Sequence, residues 1–215
     1  MHSLIQGRRL FLVLLVCFAL LPQLKGQQAP AVTPPPDGDY LHGNTAEGYQ
    51  ALFNQTTGTF NTALGWRSLY TLTTSHFNTG AGAGTLALNN ANQNTATGAG
   101  ALLLNGSGTR NVATGSDALL FNITGEFNSA HGSFALFNND DGFSNNAVGE
   151  SALFENLHGA ENTAVGDLAL ANNDVTGAGK ANFNVAVGAE TLFNNTDGDS
   201  NNAVGSHALF GNTVG

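Results

Sequence analysis

Asn145-Asn146-Ala147-Val148-Gly149-Glu150-Ser151-Ala152-Leu153-Phe154 is one copy of a phrase that the chain repeats ten times between residues 44 and 215. Asn opens the copies at Asn44, Asn61, Asn78, Asn94, Asn111, Asn128, Asn145, Asn162, Asn184 and Asn201. Gly holds the fifth position in every copy, at Gly48, Gly65, Gly82, Gly98, Gly115, Gly132, Gly149, Gly166, Gly188 and Gly205. Leu holds the ninth, at Leu52, Leu69, Leu86, Leu102, Leu119, Leu136, Leu153, Leu170, Leu192 and Leu209. The copies are 17 residues apart, except for one step of 16 after Asn78 and one of 22 after Asn162. Self-similarity at a short fixed period marks a solenoid, in which each unit buries its apolar residues only by stacking on its neighbours.

Within a copy, positions 1–4 and 8–11 read as two short β-compatible runs with the position-5 glycine between them. A second glycine recurs near position 15, in Gly58, Gly108, Gly125, Gly142, Gly159, Gly198 and Gly215, among Asn, Thr and Asp. Both glycine columns are expected to be corners, because glycine takes positive φ at no steric cost. A helix fails here, since each glycine would cost it roughly 1 kcal/mol and no helix-length apolar stripe compensates. All five prolines precede Asp37, so the repeats keep every backbone donor that a stacked sheet requires. The expected fold is all-β, a parallel β-solenoid or β-roll of about ten 17-residue coils.

Stacking places like residues in columns about 4.8 Å apart. Position 3 is alanine in nine copies, Gly80 being the exception, so a small residue is expected to face the leucine column inside a narrow coil. The first-position asparagines are expected to form a ladder, each side-chain amide bonding the next. With Leu inward, alternation turns position 10 outward, where the chain has Phe53, Tyr70, Leu103, Leu120, Phe137, Phe154, Phe193 and Phe210. Position 4 becomes Val148, Val165, Val187 and Val204 in the later copies. Such a run of outward apolar groups is either a surface for identical chains packed around an axis, with Phe53, Tyr70, Phe137, Phe154, Phe193 and Phe210 as its rings, or a set of side chains folded over their own coils.

The segments before the array read differently. Arg8 and Arg9 precede an apolar run over residues 10–21, and Gly26 offers a small residue for cleavage, so residues 1–26 read as a secretory signal peptide. Twelve apolar residues are too few for a membrane anchor, which needs about 20. Residues 27–43, with Pro30, Pro34, Pro35 and Pro36, read as an extended linker. The only cysteine, Cys17, leaves with the signal peptide, which removes disulfides and thiol chemistry from the mature chain. Three basic residues, Arg67, Arg110 and Lys180, then stand against fifteen acidic ones, a net charge of −12. Such a chain is no partner for nucleic acid or an anionic membrane, and no membrane insertion is expected after cleavage. The array stops within its tenth copy without a polar cap, so residues 44–215 are expected to be incomplete at their C-terminal end.

The long copy inserts about five residues around Val175, Thr176 and Lys180, and insertions in solenoids bulge as loops that are either neutral or a binding site. His42, His76, His131, His158 and His207 share no column, so neither a metal site nor a catalytic dyad is expected, and no cofactor. Asp140-Asp141-Gly142 and Asp197-Gly198-Asp199 carry calcium-type oxygens but equally the residues that turns demand. Gly177-Ala178-Gly179-Lys180 lacks the spacing of a phosphate loop. Asn54, Asn105, Asn122 and Asn194 each open a formal glycosylation sequon.

Asn-Thr-Ala-x-Gly-x-x-Ala-Leu, seen in residues 44–52, 94–102 and 162–170, resembles the YadA-like head repeats of bacterial trimeric autotransporter adhesins, and also repeats of tail-fibre-like surface proteins. The resemblance covers residues 44–215 and implies a parallel β-roll assembled as a homotrimer that presents a binding head outside the cell. The expected function is then a non-enzymatic, secreted or surface-displayed adhesin-like head that attaches to cells or matrix through an extracellular protein or glycan ligand. The alternative is a structural shaft or spacer whose recognition domain lies elsewhere. Ice binding would need a regular Thr ladder, and position 2 instead runs through Thr45, Thr62, Thr79, Thr95, Val112, Ser129, Asn146, Thr163, Val185 and Asn202. An enzyme would need a catalytic constellation that these residues do not form.

Overall fold

The structure, a computed structural model, describes residues 42–215. The signal peptide and all of the linker up to residue 41 lie outside the described residues. Ten parallel strands of three residues form one sheet in sequence order: β1 Thr45–Glu47, β2 Thr62–Leu64, β3 Thr79–Ala81, β4 Thr95–Thr97, β5 Val112–Thr114, β6 Ser129–His131, β7 Asn146–Val148, β8 Thr163–Val165, β9 Val185–Val187 and β10 Asn202–Val204. Each strand occupies positions 2–4 of one copy, so coils 1–10 are named from Asn44 to Asn201 in order. The chain is a parallel β-solenoid. Its register aligns like with like, as in Ala113↔Ala130 and Ala147↔Ala164.

The second expected strand run is absent. Positions 8–11 form turn, because the chain alternates through left-handed backbone there. Position 7 has φ between 52° and 69° in every coil, whether it is Arg67, Gly84, Asp117 or Phe134. The position-9 leucines follow with φ from 49° to 53°. A left-handed leucine costs roughly 1–2 kcal/mol, since its Cβ crowds the following carbonyl. The stack offsets that cost from two sides. Leu69 N donates to Thr85 O of the next coil at 3.0 Å, and Leu136 N to Ala152 O at 2.9 Å, so the turn backbone remains paired between coils. The same conformation aims the side chain inward, where Leu69 through Leu192 are fully buried at all eight such positions.

The core is thin: the leucine column faces alanines of positions 3 and 8. Gly80, which breaks the alanine column, has its reason in Ser68. That hydroxyl donates to Gly80 O at 3.1 Å, and a Cβ on Gly80 would lie 2.6 Å from it. Leu209, in coil 10, is 50% exposed because no further coil covers it among the described residues.

The two glycine columns have different reasons. Position 5 has φ from 118° to 142°, a region no L side chain occupies comfortably, and a Cβ on Gly115 would lie 2.5 Å from the Gly132 carbonyl. Position 15, contrary to the corner expectation, does not need positive φ. Gly142 is required there by contact alone, since its Cβ would sit 2.5 Å from Gly159 O and from Asn139 Oδ1.

The asparagine ladder has the expected amide-to-amide bond at five of its nine steps, where Asn61, Asn78, Asn145, Asn162 and Asn184 donate Nδ2 to the Oδ1 of the preceding Asn at 3.1–3.2 Å, and a backbone bond runs through every step beside it. At all nine steps the Oδ1 of the position-1 Asn accepts from the backbone N of the next one, from Asn61 to Asn44 at 2.8 Å through Asn201 to Asn184 at 2.9 Å. The Nδ2 reaches across the coil, as from Asn111 to Gly125 O at 2.8 Å. A second amide ladder, continuous from coil 3 onward, stands at position 12, where Asn105, Asn122, Asn139, Asn156, Asn173, Asn195 and Asn212 each donate Nδ2 to the preceding Asn at 2.6–3.0 Å, beginning with Asn89. The same Nδ2 also reaches the position-15 carbonyl, as from Asn122 to Gly125 O at 2.8 Å. Both columns therefore tie position 15 to the interior, and these buried amides are satisfied as buried polar groups must be.

Candidate functional site

With the interior filled, any recognition falls to the outward columns. Strand alternation gives the sheet face two of them. Position 4 is exposed at Val148, Val165, Val187 and Val204, a continuous valine column over coils 7–10. Position 2 is exposed or half-buried throughout, with mixed Thr, Val, Ser and Asn.

The ring column at position 10 packs along itself. Phe53 stacks on Tyr70 at 5.6 Å, Phe137 on Phe154 at 5.1 Å with planes 1° apart, and Phe193 on Phe210 at 5.1 Å. These are three separate pairs. Ala87, Leu103, Leu120 and Ala171 interrupt them, and Leu120 is buried. Tyr70, Phe137, Phe154 and Phe193 are half-buried, while Phe53 and Phe210 are exposed. A more exposed set of rings, missed from the sequence, stands just before the first-position Asn: Phe60, Phe77, Phe127 and Phe183. All four have φ of 56–59°, so the left-handed turn that enters each coil throws the last residue of the coil before it outward. The signal was present as Phe-Asn in each of these copies, but its direction depends on that φ.

The insertion after Asn162 is organised by Asp174. This buried carboxylate accepts from His158 N at 2.8 Å through Oδ2 and from Gly179 N at 2.8 Å through Oδ1. Burial pushes its pKa up, and those two backbone hydrogen bonds oppose the shift. Thr176 donates its hydroxyl to Asp197 Oδ1 at 2.5 Å, Val175 is half-buried, and Lys180 is exposed. His158 Nδ1 meets Asp141 Oδ1 at 2.5 Å, and His207 Nε2 meets Glu190 Oε2 at 3.3 Å. Among the described residues no three His, Cys, Asp or Glu side chains converge as metal ligands would.

Of the sequons, Asn105 and Asn122 are fully buried members of the position-12 ladder, whereas Asn54 is exposed. Charge is also unevenly distributed. Coils 1–4 hold Glu47 against Arg67 and Arg110, whereas coils 5–10 hold twelve acidic residues against Lys180. Comparison of the chain with protein-family models, with curated proteins and with solved structures found no match.

Proposed function

We propose that the chain is a non-enzymatic, adhesin-like head, secreted or displayed at the cell surface, in which identical solenoids pack side by side as a homotrimer and attach to cells or matrix through their outer columns. The observation that carries this reading is the valine column Val148, Val165, Val187 and Val204 on the sheet face. A straight apolar row on a rigid ladder is costly to leave in water, and it suits a copy of itself related by a closed symmetry axis. The eight acidic residues of coils 7–10 would then lie around the contact, as a charged rim does at other interfaces. The second reading, a shaft, draws on the asparagine columns, position 1 unbroken over all ten coils and position 12 over coils 3–10, which suit a stiff spacer as well as a head.

Light scattering on residues 27–215 tests the assembly. The expected mass is three chains, and Val165→Glu combined with Val187→Glu is expected to reduce it to one. A monomeric parent chain rejects the trimer. Attachment of the same protein to cells or immobilised matrix separates head from shaft, because a trimer that binds neither is a spacer.

A further inference from the structure

Coils 1 and 2 carry an outward cluster unlike anything on the other eight. Trp66 is the only tryptophan in the chain, and Tyr49 and Tyr70 are the only tyrosines among the described residues. Tyr49 and Trp66 sit one above the other at position 6, each 41% exposed, and Phe53 and Tyr70 at position 10, Phe53 being 59% exposed. Between these columns, at position 7, lies Arg67. Its guanidinium carbon is 4.8 Å from the Trp66 ring centroid and 4.9 Å from that of Tyr70, and its Nε donates to Gln50 Oε1 at 2.8 Å. The side chain is buried, so its cation serves to hold the two rings. Phe53 stacks on Tyr70 with planes 15° apart and completes a platform whose rings are fixed before any ligand arrives.

We propose that this platform, Tyr49, Phe53, Trp66 and Tyr70 with Arg67 and Gln50, is a binding site for a neutral polysaccharide. The proposal rests on the head reading and names its ligand class. A pyranose offers an apolar C–H face and a rim of hydroxyls. The first suits the negative face of an aromatic ring, and the second suits the amide of Gln50 and the tyrosine hydroxyls. Size argues against a protein. Two coils span about 10 Å along the axis, enough for a few sugar rings but far below the roughly 1,000 Å² that a specific protein interface buries. Charge argues for neutrality. The platform lies in the part of the array with one acidic residue and two arginines, and Arg67 is already committed to Trp66, Tyr70 and Gln50, while the twelve acids further along repel a polyanion.

Because Trp66 is the sole tryptophan, its emission reports on the platform alone. The secreted chain is titrated with cellohexaose, chitohexaose and maltohexaose, and with a heparin hexasaccharide as the anionic counterpart. A saturable blue shift with at least one neutral sugar is expected. Tyr49→Ala, which keeps the reporter, should weaken that binding at least about tenfold, and Ile123→Ala, an exposed apolar residue elsewhere, should leave it unchanged. The proposal is overturned by no shift with any neutral sugar, by binding of heparin alone, or by a shift that Tyr49→Ala leaves intact. A trimer that attaches to cells but binds no sugar removes only this assignment. A monomer that binds sugar removes only the trimer.

Discussion

Coil 2 and coil 7 share an interior, with Asn61, Ala63 and Leu69 in one and Asn145, Ala147 and Leu153 in the other, all fully or almost fully buried. On the outside they part: coil 2 presents Trp66 and Tyr70 with Arg67 tucked between them, where coil 7 has Glu150, Phe154 and Ser151. An inner residue answers to the coils above and below as well as its own, so little can change there. An outer residue answers to water or to a partner. Inside, the coils differ notably at position 12, where Leu72 faces the core of coil 2 and Asn156 continues the amide ladder of coil 7. Both fill the space, but only the asparagine commits its neighbours to polar partners.

The largest effect on this contrast should come from Gly115→Ala. The new Cβ would meet Gly132 at 2.5 Å in a backbone at φ 135°, with an expected loss of about 4 kcal/mol in denaturant unfolding. Gly205→Ala keeps the unfavourable φ of 118° but meets nothing within 4 Å, so about 1–3 kcal/mol is expected. Equal losses at the two sites would mean that the inner columns are held by backbone strain and not by the neighbouring coil. Asn139→Ala comes next. It removes the donor to Asn122 Oδ1 and Gly142 O and the acceptor for Asn156 Nδ2, and leaves them buried, for about 2–3 kcal/mol. A neutral result would show that the ladder fills space without contributing polar stability.

The smallest effect is expected from Asp117→Asn, at the position where coil 2 has Arg67. Burial raises the Asp117 pKa, against a hydrogen bond from Ser116. The folded chain therefore keeps a proton over a pH range where the unfolded chain has lost it, so stability falls as pH rises from the ordinary carboxylate value through the raised one, and stays lower above. Asparagine does not ionise and accepts the left-handed φ of 54°. The variant should melt slightly higher than the parent at neutral pH, with the gap closing in acid. A gap that widens in acid would show that the charged form stabilises the fold.

Much of the fold was legible because the repeat is strict where packing is strict: Leu136 and Gly132 recur in every copy as the same residues, and their columns follow from spacing alone. The second strand run was misread because Leu136 has φ 51°, a conformation leucine disfavours locally and therefore never signals. The second asparagine column, Asn89 to Asn212, recurs in the sequence without marking itself as a ladder, since position 12 becomes inward only once the turn before it is left-handed. The outer site was hidden for a related reason. Phe60 and Phe77 stand beside an asparagine in a turn-rich segment that gives no direction for their rings, and nothing in the spacing of Trp66, Arg67 and Tyr70 says that the arginine lies between the rings.

By itself the sequence determined the number of coils, their period and the leucine and alanine columns of the core, because burial in a stack repeats with the chain and leaves a periodic mark. The tertiary structure alone decided which glycines are set by φ and which by contact, which amides bond each other, and which rings reach solvent. Those outcomes depend on dihedral angles that only inter-coil hydrogen bonds can hold, and such bonds join residues one coil apart in the chain, as Leu69 to Thr85 and Gly65 to Glu47, whose identities carry no record of the angle.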